Sequence, residues 1–415
     1  MQQLHSEVLV VGAGQAGAQL ALSLRMGGFT GTVTLIGAEP DLPYERPPLS
    51  KEYLVGDRPA ERLAFRPAEF WTQRSIRLML GQSVTAVDAR RHEVTLASGA
   101  THRYGRLVWA AGGAPRALGV PGDILDGVYA IRTRADVDRL RAGLAEVQRV
   151  AIVGAGYIGL EAAPALLKLG KQVSVLESHD RVLARVSGPQ ISRFYAAEHR
   201  AHGVDLQQSV RIQGLEGRDG RVTHIRFADG RPDLACQAVV VAIGIEPAVA
   251  PLQAAGARCS NGVEVDGFCQ TSLADVFAIG DCANHVNRYA DGARLRLESV
   301  QNAIEQAKVV ANVLLGKPQP YDALPWFWSN QYDLKLQTAG LSAGHDDTVL
   351  RGDPADRSFS VLYLRQGRVI AIDCVNAPRE FVQGKAAVQC GLRARPAQLA
   401  DANLPLKTLV DAATQ

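Results

Sequence analysis

The sequence predicts an α/β fold with two Rossmann-like nucleotide-binding domains. The motif Gly-x-Gly-x-x-Gly occurs twice, at 12–17 and 154–159, each time between an apolar run and a helical pattern. Each copy is followed by a second strand that leads to a glutamate, Glu39 or Glu177. The chain has 415 residues, which is too long for one ordinary hydrophobic core. One such motif is weak evidence, but two complete units predict two nucleotide sites.

Composition excludes several classes of protein. The net charge is +3 and no long basic run is present, which argues against a nucleic-acid binder. No segment approaches the roughly 20 apolar residues of a membrane span. The N-terminus has no basic region followed by a cleavable apolar stretch, so we expect a cytoplasmic protein.

The cysteines predict neither a disulfide framework nor a metal site. Their spacings include no C-x-x-C pair and no typical metal-ligand pattern. They are Cys236, Cys259, Cys269, Cys282, Cys374 and Cys390. We therefore expect reduced, mostly buried thiols.

The first motif assigns a role to each of its glycines. Gly12 makes the turn, Gly14 lets a pyrophosphate approach, and Gly17 lets the helix pack on the strand. The phosphates would lie on free N–H groups at the positive end of that helix. The strand "TVTLIG" then leads to Glu39, whose carboxylate would accept hydrogen bonds from ribose hydroxyls.

The second motif repeats the arrangement with Gly154, Gly156 and Gly159, and its strand "QVSVLE" ends at Glu177. A carboxylate there would repel the 2′-phosphate of NADP, so the sequence favours NAD. The neighbouring basic residues His179 and Arg181 leave an alternative open, because a turned arginine could reach a phosphate.

Three further apolar runs end in glycine turns, at 107–116, 239–247 and 275–283. Ligands of open α/β sheets bind at this carboxyl edge. The last run ends in Gly280 and Asp281. Asp281 either hydrogen-bonds a polyol chain or caps the next helix.

Taken together, these blocks resemble the FAD-dependent NADH:ferredoxin reductases of bacterial cytochrome P450 and ring-hydroxylating dioxygenase systems, of the putidaredoxin reductase and rubredoxin reductase type. The resemblance covers essentially the whole chain. It rests on "VVGAGQAG", "LPYERPPLSKEYL", "AAGGAPR", "VGAGYIGLE", "AIGIEP", "AIGDCA", "ESVQNAIEQA" and "PWFWSNQYDLKLQTAG", in the family's order.

The resemblance implies a glutathione-reductase-like arrangement of three domains. These are an FAD-binding domain at 1–113 and 244–321, an NAD-binding domain at 114–243, and a C-terminal α+β domain at 322–415. Gly/Pro-rich stretches at 119–123, 244–251 and 316–325 are compatible with these boundaries.

The resemblance also implies the site residues. For FAD they are Gly12, Gly14, Ala16, Gly17, Glu39, Arg46, Lys51, Ala111, Gly112, Arg116, Arg132, Asp281, Val300 and Trp328. For NADH they are Gly154, Gly156, Tyr157, Ile158, Glu161, Glu177 and Gly244. In the family, the lysine of "RPPLSK" lies near flavin N5 and the glutamate of "GYIGLE" reaches it, which makes Lys51 and Glu161 the expected catalytic pair. By composition alone, Lys51 is an ordinary solvated loop lysine.

The activity implied is hydride transfer from NADH to FAD, followed by one-electron transfer to an acidic [2Fe-2S] ferredoxin that supplies a cytochrome P450 or a dioxygenase. Docking is expected near Trp328, Lys308 and Lys407, because a small basic patch would steer an acidic partner. Trp326 and Trp328 would share one face of an extended segment, with Phe327 on the other. The alternative is that both tryptophans are core aromatics.

Three rival functions have the same fold. A dithiol-disulfide reductase would need a close cysteine pair, which the sequence lacks. An NADH oxidase would use O2 directly. A non-catalytic NAD-responsive flavoprotein, similar to the mitochondrial apoptosis-inducing branch, would have a targeting segment and a long C-terminal insertion.

Two residues depart from the family pattern. Pro164 lies inside the helix after the second glycine turn and should kink it without loss of NADH binding. Asn330 stands where the family usually has aspartate, which removes one acidic group near the expected partner surface.

Overall fold

The computed structural model describes residues 4–414. The chain forms two compact units. The first contains the chain up to Glu45, Leu63–Ala114 and Glu246–Pro325. The second contains Arg46–Arg62, Pro115–Ile245 and the chain from Trp326 onward. The predicted α/β fold class is confirmed.

The first unit is built on a sheet of five parallel strands. In order across the sheet, they are Ile76–Met79, Val33–Ile36, Leu4–Val11, Thr101–Trp109 and Val276–Ala278. Val8 to Val11 are all buried, as expected for a strand that is covered on both faces. The antiparallel strands Glu93–Leu96 and Val84–Asp88 extend this sheet.

The helices Gln15–Met26 and Val300–Leu314 pack against each other in the first unit. Their apolar faces enter one core with the sheet, through residues such as Leu20, Leu24 and Val310. The smaller elements are the helices Ala68–Gln73 and Ala250–Ala254, the 3-10 turns Gly280–Cys282 and Arg288–Ala290, and the strands Cys259–Ser260, Gly262–Val265, Ala283–Val286 and Arg294–Leu295.

The second unit contains another five-stranded parallel sheet. Its strands, in order, are Asp205–Gln207, Gln172–Leu176, Arg149–Val153, Ala238–Val241 and Val128–Ala130. Around it lie the helices Arg134–Gly143, Tyr157–Lys168 and Pro189–Ala201, and the antiparallel strands Ile212–Arg218, Arg221–Phe227 and Leu234–Ala235. The segment 46–62 adds the 3-10 turns Pro47–Ser50 and Ala60–Arg62 and the short helix Glu52–Val55.

The C-terminal part of the second unit is an antiparallel sheet with helices. The strand order is Trp326–Gln331, Leu334–Gly340, Arg368–Val375, Ser358–Arg365 and Asp347–Asp353. The remaining elements are the 3-10 turn Pro354–Asp356 and the helices Pro378–Cys390, Pro396–Ala400 and Leu406–Thr414. Buried Arg351 holds these helices to the sheet. Its guanidinium pairs with Glu380 and donates to the backbone carbonyl oxygens of Leu399, Asp401 and Leu404.

The chain passes from one unit to the other within each of two short strands, Gly113–Pro115 and Ile245–Pro247. The sequence placed residues 46–62 in the FAD-binding domain, whereas contacts group them with the second unit. The division into three domains stays a prediction.

Two expectations on composition can be compared with the described residues. All six cysteines are free and four are buried, as predicted. Within residues 4–414, no helix is both long enough and apolar enough to cross a bilayer.

Candidate functional site

The first glycine turn has the shape of a phosphate cradle. Gly12 has φ +115°, and a Cβ there would lie 2.1 Å from the Ala110 carbonyl oxygen. A Cβ at Gly17 would lie 2.0 Å from the carbonyl oxygen of Gly12, whereas one at Gly14 would meet nothing within 4 Å. The helix Gln15–Met26 starts without a side-chain cap, so its first N–H groups point into that open space. This geometry fits a pyrophosphate.

The second glycine turn repeats the cradle. Gly154 has φ +104°, a Cβ at Gly159 would lie 2.0 Å from the carbonyl oxygen of Gly154, and Gly156 again faces open space. The helix Tyr157–Lys168 also starts without a side-chain cap. Ile158, in its first turn, is 41% exposed, which is unusual for an isoleucine and fits the predicted nucleotide contact.

The two cradles differ at the residue after their second strand. Glu177 directly follows Leu176, whose carbonyl accepts the N–H of the first glycine at 2.8 Å. Gly37 directly follows Ile36, whose carbonyl does the same at 2.8 Å. A Cβ at Gly37 would lie 2.7 Å from the Cβ of Ala13. The first cradle therefore has no side chain where the second has a carboxylate, and its glutamate comes two residues later.

Glu177 is part of the second cradle. Its Oε2 atom accepts the N–H of Ala155 at 2.7 Å, and its Oε1 atom accepts the N–H of His179 at 2.9 Å and faces the ring nitrogen at 2.8 Å. Burial alone would raise the pKa of Glu177, but these hydrogen bonds outweigh it and the pKa is lowered. The carboxylate is therefore ionised and held against the glycine turn.

The guanidinium of Arg181 is engaged by groups of the protein itself. Its guanidinium donates to the carbonyl oxygens of Ser187 and Ala184 and to the hydroxyl of Ser192. These partners occupy the group that could otherwise reach a 2′-phosphate. The alternative that Arg181 binds the 2′-phosphate of NADP is therefore not supported.

A buried ion pair joins Lys51 to Glu161. The Nζ atom lies 2.5 Å from Oε2, and the two side chains are 14% and 5% exposed. The hydroxyl of Ser50 donates to the same carboxylate oxygen at 2.6 Å, and that of Ser329 donates to Oε1 at 2.8 Å. Lys51 is thus not a solvated loop lysine, and the structure brings the expected pair together.

Local sequence explains the position of Lys51. Two prolines begin the 3-10 turn Pro47–Ser50, where their fixed φ angles are already suitable. Lys51 follows that turn and precedes the helix Glu52–Val55, which packs against the helix Tyr157–Lys168. The lysine is therefore held by a stiff turn against the helix that carries Glu161.

The other predicted FAD residues are divided between the two units. In the second unit, the guanidinium of Arg46 donates to the carbonyl oxygen of Arg132 at 2.5 Å. The N–H of Arg116 donates to the carbonyl oxygen of Gly244 at 3.0 Å, and Gly244, a predicted NADH residue, has φ +97°. Trp328 lies in the strand Trp326–Gln331 of the same unit.

In the first unit, Asp281 lies in the 3-10 turn Gly280–Cys282, and the strand Ala283–Val286 follows. Because no helix comes next, its role as a helix cap is not supported. Val300 is the first residue of the helix Val300–Leu314. Ala16, Ala111 and Gly112 lie at the glycine turns.

Sequence reasoning missed three residues near these sites. Ser50 and Ser329 hold the Glu161 carboxylate. Each is next to a residue that was singled out, Lys51 or Trp328, but no pattern assigned a role to either serine. The exposed guanidinium of Arg185 lies 3.6 Å from the position that a Cβ at Gly244 would take. A basic residue eight positions after Glu177 was the only available signal.

The tryptophans lie as predicted. The rings of Trp326 and Trp328 are 5.6 Å apart, whereas Phe327 stacks on Tyr157 at 4.3 Å. Tyr157 is the first residue of the helix Tyr157–Lys168, so this stack reaches the second cradle. None of the three aromatic rings is fully buried.

The two lysines expected at a docking surface have acidic neighbours. Lys308 pairs with Glu305 at 2.8 Å, and Lys407 pairs with Asp411 at 2.5 Å, all on exposed helix faces. Such pairs contribute little to stability, but they reduce the local positive potential. The docking residues stay a prediction.

Pro164 lies within the helix Tyr157–Lys168, which continues to Lys168. Asn330 is exposed in its strand and pairs with Lys335 across the hairpin.

Among the described residues, no three His, Cys, Asp or Glu side chains are grouped as metal ligands.

Comparisons with known proteins agree with this geometry. The family "Pyridine nucleotide-disulphide oxidoreductase" matches residues 6–307, and "Reductase C-terminal" matches residues 326–410. The chain is 54% identical, over 98% of its length and 99% of the relative, to the 5,5'-dehydrodivanillate O-demethylase ferredoxin reductase subunit of Sphingobium sp. (strain NBRC 103272 / SYK-6).

Two solved structures have the same fold. The ferredoxin reductase for the CYP199A2 system from Rhodopseudomonas palustris has a TM-score of 0.94 and 40% identity, and the match covers 97% of this chain and 99% of that one. The reductase in the covalent putidaredoxin reductase–putidaredoxin complex has a TM-score of 0.94 and 38% identity, with 99% of both chains covered.

Proposed function

Because this chain belongs to the pyridine nucleotide-disulphide oxidoreductase family and has its reductase C-terminal domain, we propose specific roles for its residues in a ferredoxin reductase. The enzyme oxidises NADH with FAD as its prosthetic group and delivers electrons to a ferredoxin. The observation that carries this function is the presence of two open glycine cradles in a chain without a close cysteine pair. Two nucleotides can bind, and the sequence offers no closely spaced cysteine pair as a dithiol acceptor.

The first cradle would hold the pyrophosphate of FAD through Gly12, Gly14 and Gly17, with Glu39 on the ribose and Asp281 on the ribityl chain. The open space at Gly14 and the uncapped helix support this. When bound, the flavin accepts hydride and releases electrons singly.

The second cradle would hold NADH. The ionised Glu177 carboxylate supports a preference over NADPH, since a 2′-phosphate beside it would be repelled. Arg185, near Gly244, would give NADH a cationic contact.

Lys51 and Glu161 would act in flavin reduction. The ammonium of Lys51 would stabilise the negative charge that arrives with the hydride, and Glu161 would hold the ammonium in place. The burial of this pair supports the role, because a charge acts more strongly where water is excluded.

The partner would be an acidic [2Fe-2S] ferredoxin that supplies a cytochrome P450 or a dioxygenase. Trp328 and the exposed Lys308 and Lys407 are the proposed docking residues. Free cysteines support a cytoplasmic location.

Electron delivery separates this function from its rivals. With NADH in excess, we expect cytochrome c reduction to require an added [2Fe-2S] ferredoxin and O2 consumption to stay slow. O2 consumption as fast as ferredoxin-dependent reduction would instead establish an NADH oxidase. No turnover with either acceptor, despite bound FAD, would favour the non-catalytic flavoprotein.

A further inference from the structure

The Glu161 carboxylate ends a chain of buried hydrogen bonds. Ser329 Oγ donates to Glu161 Oε1 at 2.8 Å, and Gln331 Nε2 donates to Ser329 Oγ at 3.2 Å. Gln331 Oε1 lies 2.9 Å from His199 Nε2, and the hydroxyl of Tyr332 lies 3.0 Å from His199 Nδ1. Ser329, Gln331 and His199 have no exposed surface.

The donor of every bond in this chain follows from the first one. A carboxylate only accepts hydrogen bonds, so the Ser329 hydroxyl donates its one hydrogen to Glu161. Its oxygen must then accept from the Gln331 amide. The Gln331 oxygen then faces His199, which must donate from Nε2. His199 Nδ1 is left as an acceptor for the hydroxyl of Tyr332.

We propose that Ser329, Gln331 and His199 form a polarised relay that holds the Glu161 carboxylate in place beside Lys51. They are positioning residues for flavin reduction, a role that rests on the function proposed for that pair. The relay acts through Glu161 alone.

The relay works by fixed dipoles. Every donor points its positive end toward Glu161, and hydrogen bonds in series strengthen one another in a low dielectric. The Gln331 amide keeps its protons at ordinary pH, so the relay conducts none. Burial lowers the pKa of His199 to about 4, helped by the charge of His202 and opposed by the Gln331 hydrogen bond, so the ring is neutral and has one N–H.

The relay also explains how one carboxylate is held by distant parts of the chain. Glu161 comes from the helix Tyr157–Lys168, His199 from Pro189–Ala201, and the serine and glutamine from the strand Trp326–Gln331. On its other oxygen, Glu161 accepts from Ser50 and Lys51. The carboxylate is therefore fixed from both sides.

The tautomer of His199 tests the relay without measuring activity. In FAD-loaded protein containing 15N-labelled histidine, we expect the Nε2–H tautomer, with the signal assigned by its loss in His199→Asn. In Ser329→Ala, which frees Gln331 to turn, we expect the Nδ1–H form to appear as well. A wild-type Nδ1–H tautomer, or an unchanged tautomer in Ser329→Ala, would overturn the proposal.

Flavin reduction tests the role of the relay. We expect Ser329→Ala to lower the limiting rate of flavin bleaching by NADH about tenfold, which is the loss of one hydrogen bond to a charge. The half-saturating NADH concentration should change less than twofold. Ser360→Ala is the matched control, since Ser360 is equally buried and its hydroxyl has no partner among the described residues. Equal rates in Ser329→Ala and Ser360→Ala would overturn the relay.

Gln331→Met provides a second variant if Ser329→Ala loses FAD. It keeps the bond from Ser329 to Glu161 and removes the rest of the relay, so we expect a smaller fall, about threefold. A rate equal to wild type in this folded, FAD-loaded variant also counts against the relay.

The Glu161→Gln background separates this proposal from the function on which it rests. We expect Glu161→Gln to slow reduction and Ser329→Ala to add less than twofold in that background. Unchanged reduction in Glu161→Gln would mean that the assigned role of the pair is wrong. A slow Glu161→Gln with a further tenfold loss on adding Ser329→Ala would mean that only the relay is wrong.

Discussion

The Nζ atom of Lys51 lies 2.5 Å from the Oε2 atom of Glu161, although 110 residues of chain separate the two. Both side chains are mostly buried, so each charge is stabilised mainly by its partner and not by water. Removing one partner of such a pair typically costs about 3–5 kcal/mol, because the remaining charge stays buried. A buried ion pair of this kind is therefore a candidate for a functional role as well as a structural one.

Lys51→Met should leave FAD bound and slow its reduction by NADH by about 100-fold, since a preorganised charge near the reaction is lost. Stopped-flow bleaching of the flavin absorbance measures this rate. Lys168→Met is the control, because Lys168 forms an exposed ion pair with Asp57 in the same unit. If both variants reduce flavin at the wild-type rate, Lys51 has only a structural role.

The wild-type enzyme should strongly prefer NADH to NADPH, as measured by kcat/KM. Glu177→Arg should shift this preference toward NADPH, because it removes repulsion and adds a phosphate partner. Glu177→Gln is the matched control, since it keeps an acceptor for the Ala155 N–H and loses only the charge. We expect it to lie between the two, and equal wild-type values for both nucleotides would refute the role of Glu177.

Arg185→Gln should raise the NADH concentration at half-saturation about tenfold and leave the limiting rate of flavin reduction unchanged. The guanidinium lies near Gly244, where it can meet a nucleotide anion, and a lost charged hydrogen bond has about this effect. Arg193→Gln, exposed on the helix Pro189–Ala201, is the control. A fall in the limiting rate alone would contradict a binding role.

Lys308→Glu should weaken ferredoxin reduction through KM or the association rate, most strongly at low salt. Ferricyanide reduction by NADH should stay the same. Glu305→Gln provides a test in the opposite direction, because it removes the acidic partner of Lys308 and should lower KM. If neither variant changes ferredoxin reduction, the docking surface lies elsewhere.

Asp373 should make the protein less stable as pH rises. Its carboxylate accepts from Tyr363 at 2.6 Å, and burial raises its pKa from 3.8 to about 7 although the hydrogen bond from Tyr363 lowers it. Between about pH 4 and pH 7 the folded state keeps a proton that the unfolded state has lost. The free energy of unfolding therefore falls across that window, by roughly 4 kcal/mol at most.

Asp373→Asn keeps an oxygen for Tyr363 and removes the titration. We expect its urea midpoint to vary less than that of the wild type between pH 4 and pH 7, with exposed Asp356→Asn as the control. Identical pH dependence in all three proteins would mean that Asp373 does not titrate as described.

Short-range features could be predicted from the sequence. A side chain at Gly12 or Gly17 would clash within the turn or with the adjacent strand, whereas Gly14 faces open space, so the spacing of the three glycines is sufficient to predict the turn. The same holds for the face shared by Trp326 and Trp328, because side chains alternate along any strand.

Long-range features were decided by the tertiary structure. That Arg181 turns inward while Arg185 approaches Gly244 depends on which carbonyls the fold places nearby. The partners of Glu161 come from segments more than 100 residues away, and no local pattern identified Ser329. Backbone sterics act over a few residues, whereas a buried charge takes its partners from whatever packing brings within hydrogen-bond distance. The sequence alone therefore determined the two nucleotide cradles. Only packing decided which side chains donate hydrogen bonds to the carboxylate in the Lys51–Glu161 ion pair.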